Sequence, residues 1–255
     1  MSDPAIHTRG LTKTFATITA VCDLDLDVAK GEIFGFLGPN GAGKTTTIRM
    51  LVGLLRPTSG SAAVAGHDVV ADAIEAKRRL GFLADNPYAY EKLTGKEFLD
   101  FVADLYSVDR AGARERSAHL LNLLGLDEAK DRTVEGYSRG MRQKLGLVAA
   151  LQHEPDVLFL DEPTSGLDPR SARNVKDLLV ELARRGRTVF MSTHVLEIAE
   201  HMCHRVGIVN GGRLVAVGSL DELRASRRRD ASLEDIFLEL TGGTEVAELK
   251  AYLED

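Results

Sequence analysis

The sequence of 255 residues predicts an α/β fold interrupted by a helical insert. Three observations carry that reading. From Phe34 the stretch "FGFLGPNGAGKTTTIRML" sets three glycines and a lysine between an apolar strand pattern and a helical one. Two more short apolar runs, Val157-Leu158-Phe159-Leu160 and Thr188-Val189-Phe190-Met191, have the character of strands buried inside a parallel sheet. Between Gly81-Phe82-Leu83 and the first of these runs the period becomes helical, which places the insert at about 84–152.

Taken in order, Leu24, Leu26 and Val28 alternate with Asp23, Asp25 and Asp27, the period of a half-buried strand. Residues 31–37 form a short apolar strand, after which Ile48, Leu51, Val52 and Leu55 recur at helical spacing. Pro57-Thr58-Ser59-Gly60 is a turn, and 61–64 begins another strand. Over 94–124, Phe98, Phe101, Val102, Leu105 and Tyr106 predict one helical stripe, and Leu120, Leu121, Leu123 and Leu124 another. Ser138 and Gly140 precede an amphipathic helix with Leu145, Val148, Ala149 and Leu151 on its apolar face. A further helix is predicted over 171–184. No repeat or low-complexity linker is present.

The interval between the first buried strand and its helix has a specific chemistry. Gly38, Gly43, Lys44 and Thr45 fit G-x-x-x-x-G-K-[ST] without a mismatch. Glycine lets successive backbone N–H groups turn inward as a nest for anions, and the helix that follows adds its unpaired N–H groups and dipole. Lys44 then reaches the terminal phosphates of a nucleotide, and the Thr45 hydroxyl is suited to ligate Mg²⁺. Gly38, Pro39, Asn40, Gly41, Ala42, Gly43, Lys44, Thr45 and Thr46 make up the predicted phosphate cradle.

Two carboxylates, Asp161 and Glu162, end the buried run "VLFLDEP" at the sheet edge where α/β proteins bind ligands. Asp161 is placed to hold Mg²⁺ opposite Thr45, and Glu162 to polarise the water that attacks the γ-phosphate. His194 stands just past the other buried run and faces the same phosphate; an isolated histidine there is otherwise a structural residue. Ser138 is an N-cap, and the helix start it opens is a second anion site, which one nucleotide does not readily share with the first.

Bulk composition narrows the classes. A hydrophobic content of 44% and a charged content of 27% are ordinary for a globular protein, and the net charge of −6 argues against nucleic acid as the main partner. No run approaches the roughly 18 apolar residues of a membrane span, and the first residues have no apolar signal core, so a cytosolic chain is expected. Cys22 and Cys203 lie far apart and suit a reduced compartment. His201, Cys203 and His204 resemble a metal cluster on paper; without a second ligand group, packing and surface are the better reading.

Together these motifs resemble, over roughly residues 5–220, the ATP-binding cassette of ABC transporters. Residues 38–46 resemble its Walker A loop, 157–162 its Walker B strand, Ser165-Gly166-Leu167-Asp168 its D-loop and His194 its switch histidine. Tyr137-Ser138-Arg139-Gly140-Met141 stands where the family has Leu-Ser-Gly-Gly-Gln. The resemblance implies a P-loop NTPase core, a RecA-like parallel sheet with an N-terminal antiparallel β-subdomain, plus the inserted helical subdomain. It implies a cassette over 1–220 and a short helical tail over 221–255.

The same resemblance implies an ATPase that pairs head to tail with a second cassette, a like copy or a paralogue. Ser138 and Gly140 then close in trans on ATP held by the partner, and Phe15 lies against adenine. Asp85 takes the place of the Q-loop glutamine; an aspartate still ligates Mg²⁺ but loses the amide donor. Arg139 for glycine and Met141 for glutamine are further departures from the family pattern. The stretches "NPYAYEKLTGKEFLDF" and "ASLEDIFLELTGG" resemble the drug, antibiotic and polysaccharide exporter branch. The implied setting is the cytoplasmic face of the cell membrane, peripheral, beside integral membrane permease subunits. The alternative is a soluble ABC ATPase of translation or DNA repair; basic arms and sustained heptads, its marks, are absent. Arg227-Arg228-Arg229 reads as a solvated charge run rather than a lipid contact.

Overall fold

The computed structural model describes residues 3–225 and 232–242. Two strands, β1 (Ile6–Phe15) and β2 (Ile18–Val28), open the chain as an antiparallel hairpin. In β2 the predicted alternation is realised: Leu24, Leu26 and Val28 are buried while Asp23, Asp25 and Asp27 are exposed. Next come β3 (Ile33–Leu37), buried throughout, and α1 (Lys44–Leu51). The helix stops short of the expected Leu55, because Val52 already leaves helical geometry and Gly53 turns to positive φ. β4 (Ser59–Val64) and β5 (His67–Asp68) complete a four-stranded antiparallel sheet in the order β2-β1-β4-β5.

After α2 (Ala73–Arg79), β6 (Leu80–Leu83) enters the second sheet. Three helices follow before the chain returns to that sheet: α3 (Gly95–Leu105), α4 (Arg110–Leu123) and α5 (Arg139–Leu151). Thr94 and Glu97 cap α3 reciprocally, satisfying two of its orphan donors. The predicted α3 stripe is partly displaced. Phe98, Leu99 and Ala103 are buried, whereas Phe101 is 37% exposed and Leu105 66% exposed. On α4, Leu120 and Leu121 are buried, as is Leu124 just beyond its end, but Leu123 faces outward.

The second half contributes β7 (Val157–Asp161), α6 (Pro169–Arg184), β8 (Thr188–Thr193), α7 (Leu196–Met202), β9 (Arg205–Asn210) and β10 (Arg213–Gly218). The tail adds α8 (Leu220–Ala225) and α9 (Leu233–Thr241). The run Arg227-Arg228-Arg229 lies outside the described residues.

The six-stranded sheet has the order β10-β9-β3-β8-β7-β6, parallel except for the β9–β10 pair. Because β3, β8 and β7 are parallel neighbours, their carboxyl ends share one edge. The register there pairs Leu37 with Thr193 and Asp161 with Ser192. Phe190 holds these strands from beneath, its ring 5.6 Å from Phe34, 5.2 Å from Phe36 and 5.6 Å from Phe159. Each such aromatic pair adds about 0.5–1.5 kcal/mol beyond simple burial. The chemistry at the sheet edge therefore stands on a rigid base. Leu145 and Val148 of α5 pack with Leu83, Leu158 and Leu160, so the helical segment shares a continuous core with one face of this sheet.

Candidate functional site

The loop between β3 and α1 curls around its own lysine. Gly43, the last residue before the helix, has φ +103°, and a Cβ there would strike the Ala20 carbonyl of β2. Gly38 is confined from the other side, where a Cβ would lie 2.5 Å from the Val209 carbonyl. Only glycine fits at both ends of the curl. Lys44 Nζ donates to the carbonyls of Gly38 at 2.6 Å and Pro39 at 3.1 Å. Burial pushes the Lys44 ammonium below the ordinary lysine value, while Glu162 and Asp161 pull it back up.

At the end of β7, Asp161 is buried and both its oxygens are engaged. Thr45 Oγ1 donates to Oδ2 at 2.9 Å, and Ser192 Oγ of β8 donates to Oδ1. A hydroxyl and a carboxylate thus face each other at the start of α1. They are hard oxygen donors of the kind Mg²⁺ takes alongside phosphate and water. No cluster of three or more His, Cys, Asp or Glu suited to a metal occurs among the described residues. A Mg·nucleotide site needs no such cluster, since phosphates and waters supply most of the ligands.

Glu162 takes left-handed backbone geometry, φ +52°, a conformation that costs a non-glycine residue about 1–3 kcal/mol unless neighbours enforce it. The neighbours are present. Its N–H donates to Ser192 O at 3.2 Å, and its carbonyl accepts from Ser165 N at 3.1 Å and Gln143 Nε2 at 3.3 Å. This backbone bend turns the side chain, 16% exposed, toward His194, whose Nδ1 lies 2.9 Å from Oε1. His194 itself is 66% exposed.

One cavity of about 260 Å³ gathers Ala20, residues 40–46, Asp85, Asp161 and Glu162. Gly38 and Pro39 lie behind it, through their carbonyls on Lys44. Phe15, Ser138, Gly140 and His194 are not among its lining residues. Phe15 ends β1 half-exposed, with Lys13 Nζ 5.1 Å from its ring centre. Ser138 caps α5 by accepting from Met141 N at 3.3 Å. A larger cavity, about 730 Å³, opens between α4 and α6 and contains none of the predicted site residues. Chemistry rather than size picks the site.

Three neighbours escape sequence reasoning. Ser192 is hidden within an apolar strand. Gln143 is the buried polar residue on the otherwise apolar face of α5, a signal that could have marked it. Arg139 reaches back 54 residues: its Nη2 donates to Asp85 Oδ1 at 3.0 Å and to Ser165 Oγ at 3.1 Å. Two of the three departures from the family pattern, Asp85 and Arg139, therefore touch each other.

His201, Cys203 and His204 do not share a helix face, since α7 ends at Met202. His204 Nδ1 accepts from Ile33 N at 2.9 Å. Cys203 is packed against Gly35, and burial pushes its thiol up to about 12. His201 Nδ1 bonds the Glu197 carbonyl of its own helix at 2.8 Å.

Residues 21–165 match the family described as ABC transporter. The daunorubicin/doxorubicin resistance ATP-binding protein DrrA of Streptomyces peucetius is 45% identical over 222 residues, 87% of this chain and 67% of that protein. A fluoroquinolones export ATP-binding protein of Mycobacterium tuberculosis is 44% identical over 226 residues, 88% of this chain and 74% of its own length. A solved structure described as the ATP binding subunit of an ABC transporter superposes with a TM-score of 0.89 at 31% identity. It covers 92% of this chain and 99% of its own.

Proposed function

The chain belongs to the ABC transporter family as an ATP-binding subunit and is an ATPase, and we propose that it hydrolyses ATP in the cavity above Lys44 to drive export through a separate permease. The observation that carries this reading is the convergence of Lys44, Thr45, Asp161 and Glu162 on one cavity at the carboxyl edge of β3, β7 and β8. Backbone N–H groups of 40–46 wrap the phosphates, and the Lys44 ammonium exchanges its carbonyl partners for β- and γ-oxygens. An anion there offsets the burial cost that Lys44 now bears.

Thr45 and Asp161 would hold Mg²⁺, with Asp85 as a further ligand from the cavity wall. When bound, the ion would withdraw charge from the β- and γ-phosphate oxygens. Glu162 orients the attacking water and accepts its proton as the γ-phosphoryl group leaves ADP as inorganic phosphate. His194, with Nδ1 2.9 Å from Glu162 Oε1, fixes the direction of that carboxylate and stands at the γ-phosphate. Phe15, at the turn end of the hairpin that abuts Gly43, stacks on adenine.

Ser138 and Gly140 serve the nucleotide of a second cassette, in a head-to-tail pair of like or paralogous chains. Their separation from the Lys44 cavity supports this reading, because an anion site at the start of α5 has no use in cis. The division into a cassette over 1–220 with a helical insert at about 84–152 and a tail from 221 belongs to the same proposal.

Among the described residues no helix is long and apolar enough to cross a membrane. In the proposed export the path through the membrane belongs to separate permease subunits, with this chain attached peripherally at the cytoplasmic face. Tyr88, fully exposed just past Asp85, and Tyr90, resting on Phe101 with ring centres 5.2 Å apart, suit contact with such a subunit. Drug resistance and fluoroquinolone export in the names of the relatives support the outward direction. The test is a resistance assay in cells carrying the chain with its permease. Protection against the exported compound is expected with the intact chain and lost with Glu162→Gln. Equal protection by both chains would contradict coupling of hydrolysis to export.

A further inference from the structure

We propose that Arg139 is a positioning residue for the phosphate cavity: it neutralises and fixes the carboxylate of Asp85, so that the cavity wall does not repel a polyphosphate. The proposal rests on the reading of that cavity as the ATP phosphate site.

Charge around the cavity poses the problem. Three carboxylates, Asp85, Asp161 and Glu162, line it against a single cation, Lys44. An incoming nucleotide brings several negative charges to the same place. Asp161 is held by hydroxyls and Glu162 by His194. Asp85 alone of the three is paired with a guanidinium, through Arg139 Nη2 at 3.0 Å.

The placement of Arg139 has no helical rationale. It is the first residue of α5, where the helix dipole disfavours a cation, and no acidic residue sits in that first turn to compensate. Something outside the helix must account for it, and Asp85 does. The guanidinium is also held in place. The same nitrogen donates to Ser165 Oγ at 3.1 Å, and the stem lies over Gly166, where an added Cβ would come within 3.2 Å of Arg139 Cδ. Gly166 has φ +73°, so the backbone there turns as glycine permits and leaves room for the arginine.

Both partners are about half-exposed, so the pair adds little to folding stability. Its consequence lies in the potential at the cavity, where removal of the cation leaves a bare carboxylate facing phosphate. The pair also fastens the first turn of α5 to the cavity wall. The turn that carries Ser138 and the wall that meets ATP are thereby linked within one chain.

The test is a double-mutant cycle on ATP affinity, measured by calorimetry on the full chain with EDTA present, so that no metal takes part. At low salt Arg139→Gln is expected to weaken ATP about three- to tenfold, a loss that shrinks toward about 0.5 M salt. Arg139→Lys keeps the charge and most of the affinity. Asp85→Asn does not weaken binding, and in that background Arg139→Gln costs nothing further. An unchanged affinity in Arg139→Gln would overturn the proposal. So would an equal loss in the Asp85→Asn background, which would mean that Arg139 touches phosphate itself or merely shapes the loop. Failure of the unaltered chain to bind ATP would instead remove the cavity reading beneath both.

Discussion

The floor of the site and its rim are built on different terms. Lys44 and Asp161 are buried, Glu162 nearly so, and each is fixed by two or more bonds from the loops, helix starts and β8 that surround the strands Phe190 holds together. Ser138, Gly140, Asp85 and Arg139 stand at the start of α5 and the loop after β6, half-open to solvent and tied by a surface ion pair. Over-determined groups suit chemistry that tolerates little displacement, since misplacing a catalytic group by about 1 Å can cost a hundredfold in rate. Open groups with few partners suit a surface that must meet another molecule. On the proposed reading, the buried floor holds nucleotide by itself, while Ser138 and Gly140 in the open rim serve the nucleotide of a second chain.

The strongest challenge to that contrast is Lys44→Ala. Without the ammonium the curled loop loses its central partner, so ATP affinity should fall and hydrolysis drop by about a thousandfold or more. Nucleotide titration and phosphate release measure the two. Undiminished values would mean that the floor is not the phosphate site.

Glu162→Gln sharpens the contrast, because it separates binding from chemistry within the floor. Hydrolysis should slow about a hundredfold or more while ATP still binds. A mutant turning over at the unaltered rate would remove Glu162 from the reaction.

Gln143→Ala tests whether the bent backbone of Glu162 needs its support. The amide touches only the Glu162 carbonyl, which also keeps Ser165 N, so a fall in kcat of about tenfold at unchanged ATP affinity is expected. A change in affinity without one in kcat would assign Gln143 to binding instead. The smallest effect belongs to Cys203. With its thiol pushed up to about 12 by burial, it should resist alkylation at neutral pH in the folded chain, and mass spectrometry after iodoacetamide checks this.

How far the sequence reaches follows the same division. The strands of the floor were legible because β3, β7 and β8 are short apolar runs buried on both faces, which periodicity detects without tertiary knowledge. Lys44, Thr45, Asp161 and Glu162 announce themselves by motif, and they do lie together. The strand order was not legible, and neither were β9 and β10, whose place depends on pairing rather than pattern. The apolar stripe of α3 misleads at Phe101 and Leu105, since periodicity records that a residue is apolar and not whether the core or the solvent receives it. Arg139 and Asp85 are each odd in sequence; only the fold, closing 54 residues, makes them one contact.

Lys44, Thr45, Asp161 and Glu162 are proposed to bind ATP within one chain, whereas Ser138 and Gly140 are proposed to act only across a pair of chains. Size-exclusion chromatography of Glu162→Gln with ATP, with and without Ser138→Arg, tests it most directly, alongside ATP titration of the same proteins as monomers. Glu162→Gln is expected to form an ATP-dependent dimer that disappears when Ser138→Arg is added, with nearly equal monomer affinities. Loss of monomer ATP binding on adding Ser138→Arg would put the serine in the same pocket as Lys44 and contradict the account.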